Sequence, residues 1–373
     1  MSRAAEPPSA RKSRSQVKAA ASSCQSSDGA SAVEIALKMS FHYWRNCGRT
    51  AKTGFVSLAG SYHGETLGAL SVTDVALFKD TYAPLLRHSA QVPSPDWRLA
   101  AAGESPREFA ERCARALEEY FERHHQETAA LIVEPLVQGA TGMAMYDAEY
   151  LRLARALCDR YEVHLIADEI MIGFGRSGSF FAHEQAGITP DFLCLSKGIT
   201  GGYLPLAAVM TTDRVYNAFY DDAATRGFLH SHSYTGNPLA CRAALAVLDT
   251  LAARDAEGRD VLARNREAAI RFDDLTAPLR AHPRVKAHRR IGMIWAWDID
   301  VAEPTFAARY HRAAMEAGLL LRPIGATLYV MPPYVLTEAD QAFLAAGLLR
   351  ALDQVLSECD ALPRADAATV PVP

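Results

Sequence analysis

Short apolar runs alternate with amphipathic stretches along most of the chain from Val33 onward. Three runs are mainly apolar, namely Ala130–Val133, Val163–Ala167 and Phe192–Leu195. Runs of this length and composition are typical of strands that are buried on both faces of a parallel sheet. Between the first two lies EYLRLARALCDRYE (149–162), whose apolar residues recur at helical spacing. The pattern therefore predicts a βαβ unit inside an α/β fold with a mostly parallel sheet.

Polar residues follow each of these three predicted strands. Glu134 follows the first, Asp168 and Glu169 follow the second, and Ser196 and Lys197 follow the third. A single charge after a strand commonly does no more than end it. Three in succession predict a site, because ligands of parallel sheets bind at the carboxyl ends of the strands.

The later part of the chain has a different pattern. One long helical region is predicted from about Asn237 to Ala277, and an α+β segment with strands in IGMIWAWDI and LYVMPP follows. We therefore expect a disordered basic tail over residues 1–24, a large domain over 25–275 that carries the site, and a small C-terminal domain over 276–363. The tail has five basic residues and one acidic residue, and it lacks the apolar face of a transit peptide.

Composition narrows the function. Hydrophobic residues make up 49% and charged residues 22%, as in ordinary globular proteins, and the net charge of -4 argues against a nucleic-acid partner. No apolar run approaches the ~20 residues that span a bilayer, so no membrane partner is expected. The seven cysteines form no CxxC pair, which favours reduced thiols in a cytoplasmic protein.

The segment Ser27–Glu34 predicts the start of a helix, with Ser31 and Glu34 at the spacing of a capping box. Gly29 and Ala30 would then present backbone N–H groups, free of bulky side chains, at a positive helix terminus. Such a terminus can bind phosphate, although a plain capped helix has the same pattern.

Asp168 and Lys197 add the chemistry that pyridoxal phosphate (PLP) requires. A buried carboxylate keeps the pyridine nitrogen protonated, and a lysine binds the cofactor as a Schiff base. Desolvation of Lys197 would lower its pKa and favour the neutral, nucleophilic amine. Each residue alone has a plain alternative, an N-cap or a solvated loop lysine, but their position on adjacent strands favours the cofactor.

A second phosphate-binding motif is weaker. Gly173–Gly178 reads GFGRSG and matches GxGxxG after a strand. The residues that follow, FFAHE, are a poor start for a dinucleotide-binding helix, and no acid ends a second strand at the usual distance. A Rossmann dehydrogenase is therefore the weakest of the alternatives.

Four segments together resemble the class III aminotransferases of fold type I: LIVEPLVQGATGM, LIADEIMIGFGRSG, DFLCLSKGITGGYLPLAAV and HSHSYTGNPLAC. The resemblance runs from about Ser27 to Leu356. It implies a fold-type-I PLP-dependent transferase, with a mostly parallel sheet in the large domain and a smaller α+β C-terminal domain.

The resemblance also implies roles for individual residues. Gly29 and Ala30 correspond to the phosphate cup, although many family members have a hydroxyl residue at the position of Ala30. Tyr62 and His63 match the YHG sequence that stacks on the cofactor ring, with Tyr62 also bordering the substrate.

The resemblance implies four further cofactor residues. Glu134 would be the carboxylate behind the ring, and Asp168 the partner of the pyridinium nitrogen. Ile170 would contact the other face of the ring, and Lys197 would be the covalent lysine.

Further roles involve the substrate and a partner subunit. Ser233, with His232 and Ser231 before it, corresponds to the hydroxyl residue that reaches the cofactor phosphate of the neighbouring subunit, so the resemblance implies a homodimer with shared active sites. Arg322 resembles the arginine that binds the substrate carboxylate, for which arginine offers bidentate geometry.

The resemblance departs at the front of the chain. The family normally has a substantial segment ahead of the phosphate cup, including an aromatic pair that lines the substrate pocket, whereas only the basic tail precedes Ser27 here. The chain as given is therefore expected to be less stable and less active than one with such a segment. Three alternatives for the function stay open: a class III aminotransferase of a biosynthetic pathway, a class III transaminase that acts on ω-amino acids or diamines, and an N-terminally truncated family member without activity.

Overall fold

The computed structural model describes residues 23–360. The chain divides into two compact units, with the division after Leu262. The basic tail predicted for residues 1–24 lies outside the described residues, except that Ser23 and Cys24 belong to a strand. The division falls earlier than the boundary expected at residue 275, because Ala269 and Phe272 pack in the hydrophobic core of the second unit.

The first unit contains a seven-stranded sheet and a two-stranded hairpin. The strands in chain order are β1 (Ser23–Ser26), β2 (Gly54–Leu58), β3 (Ala90–Val92), β4 (Thr128–Val133), β5 (Val137–Gln138), β6 (Ala144–Met145), β7 (His164–Asp168), β8 (Phe192–Leu195) and β9 (Ala207–Thr211). The sheet has the order β1-β9-β8-β7-β4-β2-β3, and β5 pairs with β6. Pairing is parallel from β3 through β8 and antiparallel at β9 and β1.

The helices of this unit connect those strands. They are α1 (Gly29–Asn46), α2 (Leu67–Val72), α3 (Ala76–Lys79), α4 (Pro106–His124), α5 (Ala148–Arg160), α6 (Asp213–Asn217) and α7 (Pro238–Ala252). Helix α1 packs on the sheet through an apolar face that includes Val33, Ala36 and Trp44. Helix α5 connects β4 to β7, so the predicted βαβ unit is confirmed.

All three predicted strands are present as parallel neighbours. They are β4, β7 and β8, and every residue in each of them is buried. Burial of a whole strand explains why the sequence shows a continuous apolar run there instead of an alternating pattern.

The second unit is α+β, as predicted for the C-terminal part. Helix α8 (Val261–Leu275) begins at the division, and α9 (Ala277–Arg280), α10 (Phe306–Glu316) and α11 (Glu338–Asp360) follow. Its antiparallel sheet has the order β10 (Val285–Ile291), β11 (Ile294–Ile299), β12 (Thr327–Val330). Trp295, Trp297 and Tyr310 are buried in its core.

The prediction of one long helical region from Asn237 to Ala277 is wrong in one respect, because the structure has two successive helices, α7 and α8, over most of this range. The helical region is interrupted between α7 and α8, where the chain reads ARDAEGRD. Gly258 there has φ +77, and Asp255 accepts N–H groups from Glu257 and Arg259. A turn with its own side-chain hydrogen bonds competes with the helix, which explains the break.

None of the described helices is long and apolar enough to cross a membrane. Within the same residues, no group of His, Cys, Asp and Glu side chains is arranged to hold a metal ion.

His164 joins α1 to the strand that carries Asp168. Its Nδ1 lies 2.8 Å from Ser40 Oγ, and its ring stacks on Trp44 with 4.6 Å between centroids. The side chain is fully buried, and this burial lowers the pKa of the imidazole to about 3. Protonation in the folded state is therefore strongly disfavoured.

We expect His164 to make the first unit sensitive to acid. An unfolded histidine has a pKa near 6.5, so this contribution to stability is complete above about pH 6.5 and is lost as the pH falls toward about 3. His164→Phe removes the titration, so its stability should fall less than that of the wild type over this range. Urea unfolding at several pH values measures the difference, with exposed His88→Asn as the control. Parallel curves for wild type and His164→Phe would contradict the prediction.

Candidate active site

Helix α1 begins at Gly29, and Asp28 is its N-cap residue. Asp28 has extended backbone angles, and its Oδ1 accepts the N–H of Ser31 at 2.9 Å. Although burial opposes it, hydrogen bonds from Ser31, Ser27 and Ala30 lower the pKa of the Asp28 carboxyl. The predicted capping box is wrong, because Ser31 is already inside the helix and Glu34 accepts from elsewhere. Asp28 takes the role because its short carboxylate reaches the first turn.

The predicted phosphate cup lies at this terminus. Gly29 and Ala30 are the first two residues of α1, at the positive end of an 18-residue helix. The terminus faces the end of β7, since a Cβ placed on Gly29 would lie 2.9 Å from Ile170 Cγ2. The structure therefore brings the cup and Ile170 together.

Asp168 is the last residue of β7 and is buried. Its Oδ2 lies 2.8 Å from His63 Nδ1, and its Oδ1 accepts the N–H of Ile170 at 3.1 Å. Nε2 of His63 is also buried and has no hydrogen-bond partner among the described residues. His63 therefore contacts the pyridinium candidate directly, a contact that the YHG motif did not indicate.

Glu134 lies beside Asp168, because Val133 and Ala167 are partners in the β4–β7 ladder. Glu134 as a whole is 6% exposed, and its carboxylate accepts N–H groups from Tyr62 at 2.9 Å and Gly139 at 3.0 Å. Burial outweighs these hydrogen bonds and raises the pKa of Glu134 to about 7.

Tyr62 is held at both ends. Its backbone donates to Glu134, and its hydroxyl donates to Glu65 Oε1 at 2.8 Å, while its ring lies 5.1 Å from that of Phe78. Burial and the bond to Glu65 raise the pKa of Tyr62 to about 12. The phenol therefore stays protonated and orients the ring.

Lys197 follows Ser196 at the end of β8, the strand whose Cys194 pairs with Asp168. Its φ is +45, in the left-handed region that residues other than glycine and asparagine rarely adopt and that is frequent at functional sites. In the single chain Lys197 is exposed, two residues beyond the carboxyl end of β8, and its desolvation in the cofactor site stays a prediction.

The remaining predicted residues belong to other segments of the chain. Ser231, His232 and Ser233 belong to an open loop in which Ser231 and Ser233 are exposed, and no hydrogen bond joins them to Gly29, Ala30 or Lys197 in the described chain. Arg322 lies in the second unit, where it lines a groove of about 640 Å³ with Tyr329, Met331 and Pro333.

Sequence reasoning missed the residues that hold the Tyr62–His63 loop. Thr73 Oγ1 accepts the N–H of His63 at 2.9 Å, and Asp74 Oδ2 accepts the N–H of Gly60 at 2.8 Å. Glu169, which the sequence placed at the site only as a charge after β7, is fully buried and accepts the N–H groups of Ala182 and His183. Only the acid pair DE after β7 was a local signal for the last of these.

Comparison with known proteins identifies the family. The family model described as "Aminotransferase class-III" matches residues 13–352. A relative from Helicobacter pylori, named adenosylmethionine-8-amino-7-oxononanoate aminotransferase, is 44% identical over 336 residues, which is 88% of this chain and 74% of the relative. A relative of the same name from Geobacter sulfurreducens is 38% identical over 341 residues, with 88% and 74% coverage.

Solved structures agree. The adenosylmethionine-8-amino-7-oxononanoate aminotransferase of Methanocaldococcus jannaschii has a TM-score of 0.80 at 30% identity and covers 94% of this chain and 80% of its own. The ω-transaminase of Pseudomonas jessenii in complex with PMP has a TM-score of 0.85 at 26% identity, with 96% and 82% coverage. The chain belongs to the class III aminotransferases, and its fold is the fold-type-I α/β fold of PLP-dependent transferases.

Proposed function

We propose that this chain is a PLP-dependent aminotransferase that transfers an amino group to 8-amino-7-oxononanoate and forms 7,8-diaminopelargonate in biotin biosynthesis. Three relatives carry the name of that enzyme, and their sequences are 38–44% identical to this chain over most of its length. S-adenosylmethionine or lysine is the proposed amino donor.

One observation supports the cofactor most strongly. The buried Asp168 carboxylate lies at the end of β7, and Lys197 lies two residues beyond the end of the neighbouring β8. The terminus of α1 packs against Ile170, two residues after Asp168. A positive helix end, a buried anion and an amine are the three groups that PLP requires for its phosphate, ring nitrogen and aldehyde. The residues present therefore fit PLP.

Each of these residues has a role in the proposed reaction. Bound PLP supplies an electron sink next to the carbon that carries the amino group. Asp168 holds the proton on the ring nitrogen, and His63 orients its carboxylate. Lys197 Nζ is the general acid and base that moves the proton from that carbon. Gly29 and Ala30 bind the phosphate, while Tyr62, Ile170 and Glu134 fix the position of the ring.

We also propose that the protein is a cytoplasmic homodimer with shared active sites. The hydrogen bonds of Ser231, His232 and Ser233 among the described residues lie within their own loop and not at Gly29 or Ala30, as expected if the loop serves a second subunit. Six large apolar residues of the described first unit are at least 71% exposed, and exposed apolar surface of this kind marks interfaces: Leu77, Tyr203, Tyr220, Leu229, Tyr234 and Leu239. An apolar groove of about 690 Å³ between Phe41 and Phe228 adds to this surface.

The function is tested by mass spectrometry of the products from purified protein, PLP and 8-amino-7-oxononanoate. S-adenosylmethionine and lysine are supplied separately as donors, and Lys197→Ala is the inactive control. We expect 7,8-diaminopelargonate with one donor. Activity only on ω-amino acids or diamines would favour the other class III transaminases, and no turnover despite bound PLP would favour an inactive remnant.

Borohydride reduction of the PLP-loaded protein should attach the cofactor to Lys197. Reduction traps a lysine that is bonded to PLP, so peptide mapping should find the label there, and Lys197→Ala should carry none. A label on Lys38, Lys52 or Lys79 would overturn the assignment.

Arg322→Ala should raise the KM for 8-amino-7-oxononanoate and leave PLP binding unchanged. The substrate carboxylate would lose its charged partner, at roughly 2 kcal/mol or more, which corresponds to a KM increase of about thirtyfold. Arg312, exposed on α10, is the matched control, and Arg312→Ala should behave as wild type. Equal KM values in the two variants would place Arg322 outside substrate binding.

A further inference from the structure

Glu34 connects two segments that we assign to the cofactor. It lies on α1, four residues beyond Ala30, and its Oε1 accepts hydrogen bonds from Thr66 Oγ1 at 2.7 Å, Gly68 N at 2.7 Å and Ala69 N at 3.3 Å. These donors belong to the chain that leads from the Tyr62–His63 loop into α2. A carboxylate of the phosphate-cup helix thus binds the start of α2, which follows directly after the loop that carries the ring-facing residues.

The two segments are also in direct contact. Gly64 has φ +121, and a Cβ placed on it would lie 2.7 Å from Ala30 Cβ. A Cβ placed on Gly68 would overlap the Glu34 carboxylate. Glycines on the loop therefore permit an approach that a larger residue would block.

Glu34 takes the place of a local cap at the start of α2. Thr66 is the N-cap residue of α2, a position where threonine commonly caps its own helix, yet its side chain makes no cap bond. Its hydroxyl donates to Glu34 instead. The sequence already contains a local cap, and the structure uses a residue of another helix in its place.

The far end of the loop is fixed separately. Thr73 and Asp74, which directly follow α2, accept the N–H groups of His63 and Gly60. These two hydrogen bonds join the loop before α2 to the segment after it. The loop and α2 meet α1 in two ways: the contact of Gly64 with Ala30 limits how closely they approach, and the hydrogen bonds to Glu34 hold them together. The separation between cup and ring-facing residues therefore depends on Glu34 as well as on that contact.

We propose that Glu34 is a positioning residue that couples the phosphate cup at Gly29 and Ala30 to the Tyr62–His63 loop. It sets the distance at which the phosphate and the ring of the cofactor are held, without touching either. This inference rests on the proposed function, since it concerns PLP.

The test compares Glu34→Ala, Glu34→Gln and Glu108→Ala in the full chain. Glu108 is the matched control, because it accepts from Ser105 in the capping box of α4 and its loss weakens a helix terminus outside the site. Apoprotein is titrated with PLP by absorbance, the visible circular dichroism of the saturated protein is recorded, and urea unfolding reports stability.

We expect Glu34→Ala to raise the PLP dissociation constant about tenfold, the size typical of a lost capping contact. It should also weaken the visible circular dichroism at saturation, because the ring is held less rigidly. Glu34→Gln keeps an oxygen acceptor and should recover most of both properties. Glu108→Ala should lower stability and change neither.

Wild-type PLP binding and circular dichroism in Glu34→Ala would overturn the inference, as would equal changes in Glu108→Ala. If Glu34→Ala does not fold, Thr66→Val decides, since it removes one of the three donors and should give a smaller change in the same direction; no change would overturn the inference. Failure of the wild type itself to bind PLP would overturn the proposed function, a result that is distinct from either.

Discussion

The parallel register of β4, β7 and β8 determines where the chemistry of this protein can lie. Val133 pairs with Ala167 and Asp168 pairs with Cys194, so Glu134, Asp168 and Lys197 all leave the sheet at one edge. The three strands are buried throughout, and a slip of one residue would carry Asp168 or Glu134 into apolar surroundings. Burial of a carboxylate without hydrogen bonds is strongly unfavourable, so the apolar strands and the acids that follow them fix the same register.

The buried acids then organise the loops around this edge. Glu134 accepts the N–H groups of Tyr62 and Gly139, and Glu169 accepts those of Ala182 and His183. Each carboxylate needs donors because it has lost water, and backbone N–H groups of loops supply them. Burial of the carboxylates therefore holds these loops in place. At Glu134 the hydrogen bonds only partly offset the cost of burial, because burial still raises the pKa of its carboxyl to about 7.

The sequence was sufficient for the features that depend on strand burial and strand ends. β4, β7, β8, α5 and the terminus at Gly29 were all predictable, because a continuous apolar run or a helix start is a local signal. The capping box predicted for Glu34 is wrong because its side chain accepts hydrogen bonds from α2 and not from its own helix. Sequence spacing alone cannot distinguish these two arrangements. The contact of His63 with Asp168 was not predictable either, since it joins residues that are 105 positions apart.

The machinery at the sheet edge does not by itself select the substrate. Moving an amino group requires the lysine, the ring-nitrogen partner and the phosphate site whatever the rest of the substrate is, which explains why ω-transaminases share this fold with a TM-score of 0.85 at only 26% identity. Choice between acceptors must come from groups that contact the remainder of the molecule, such as a cation for its carboxylate. Arg322 is the proposed cation, and it lies in a separate compact unit from the strands that carry the reaction. The proposal thus assigns catalysis and acceptor choice to different units of the chain. Under this proposal, substitutions in the second unit alter the acceptor without changing the residues that act on the amino group.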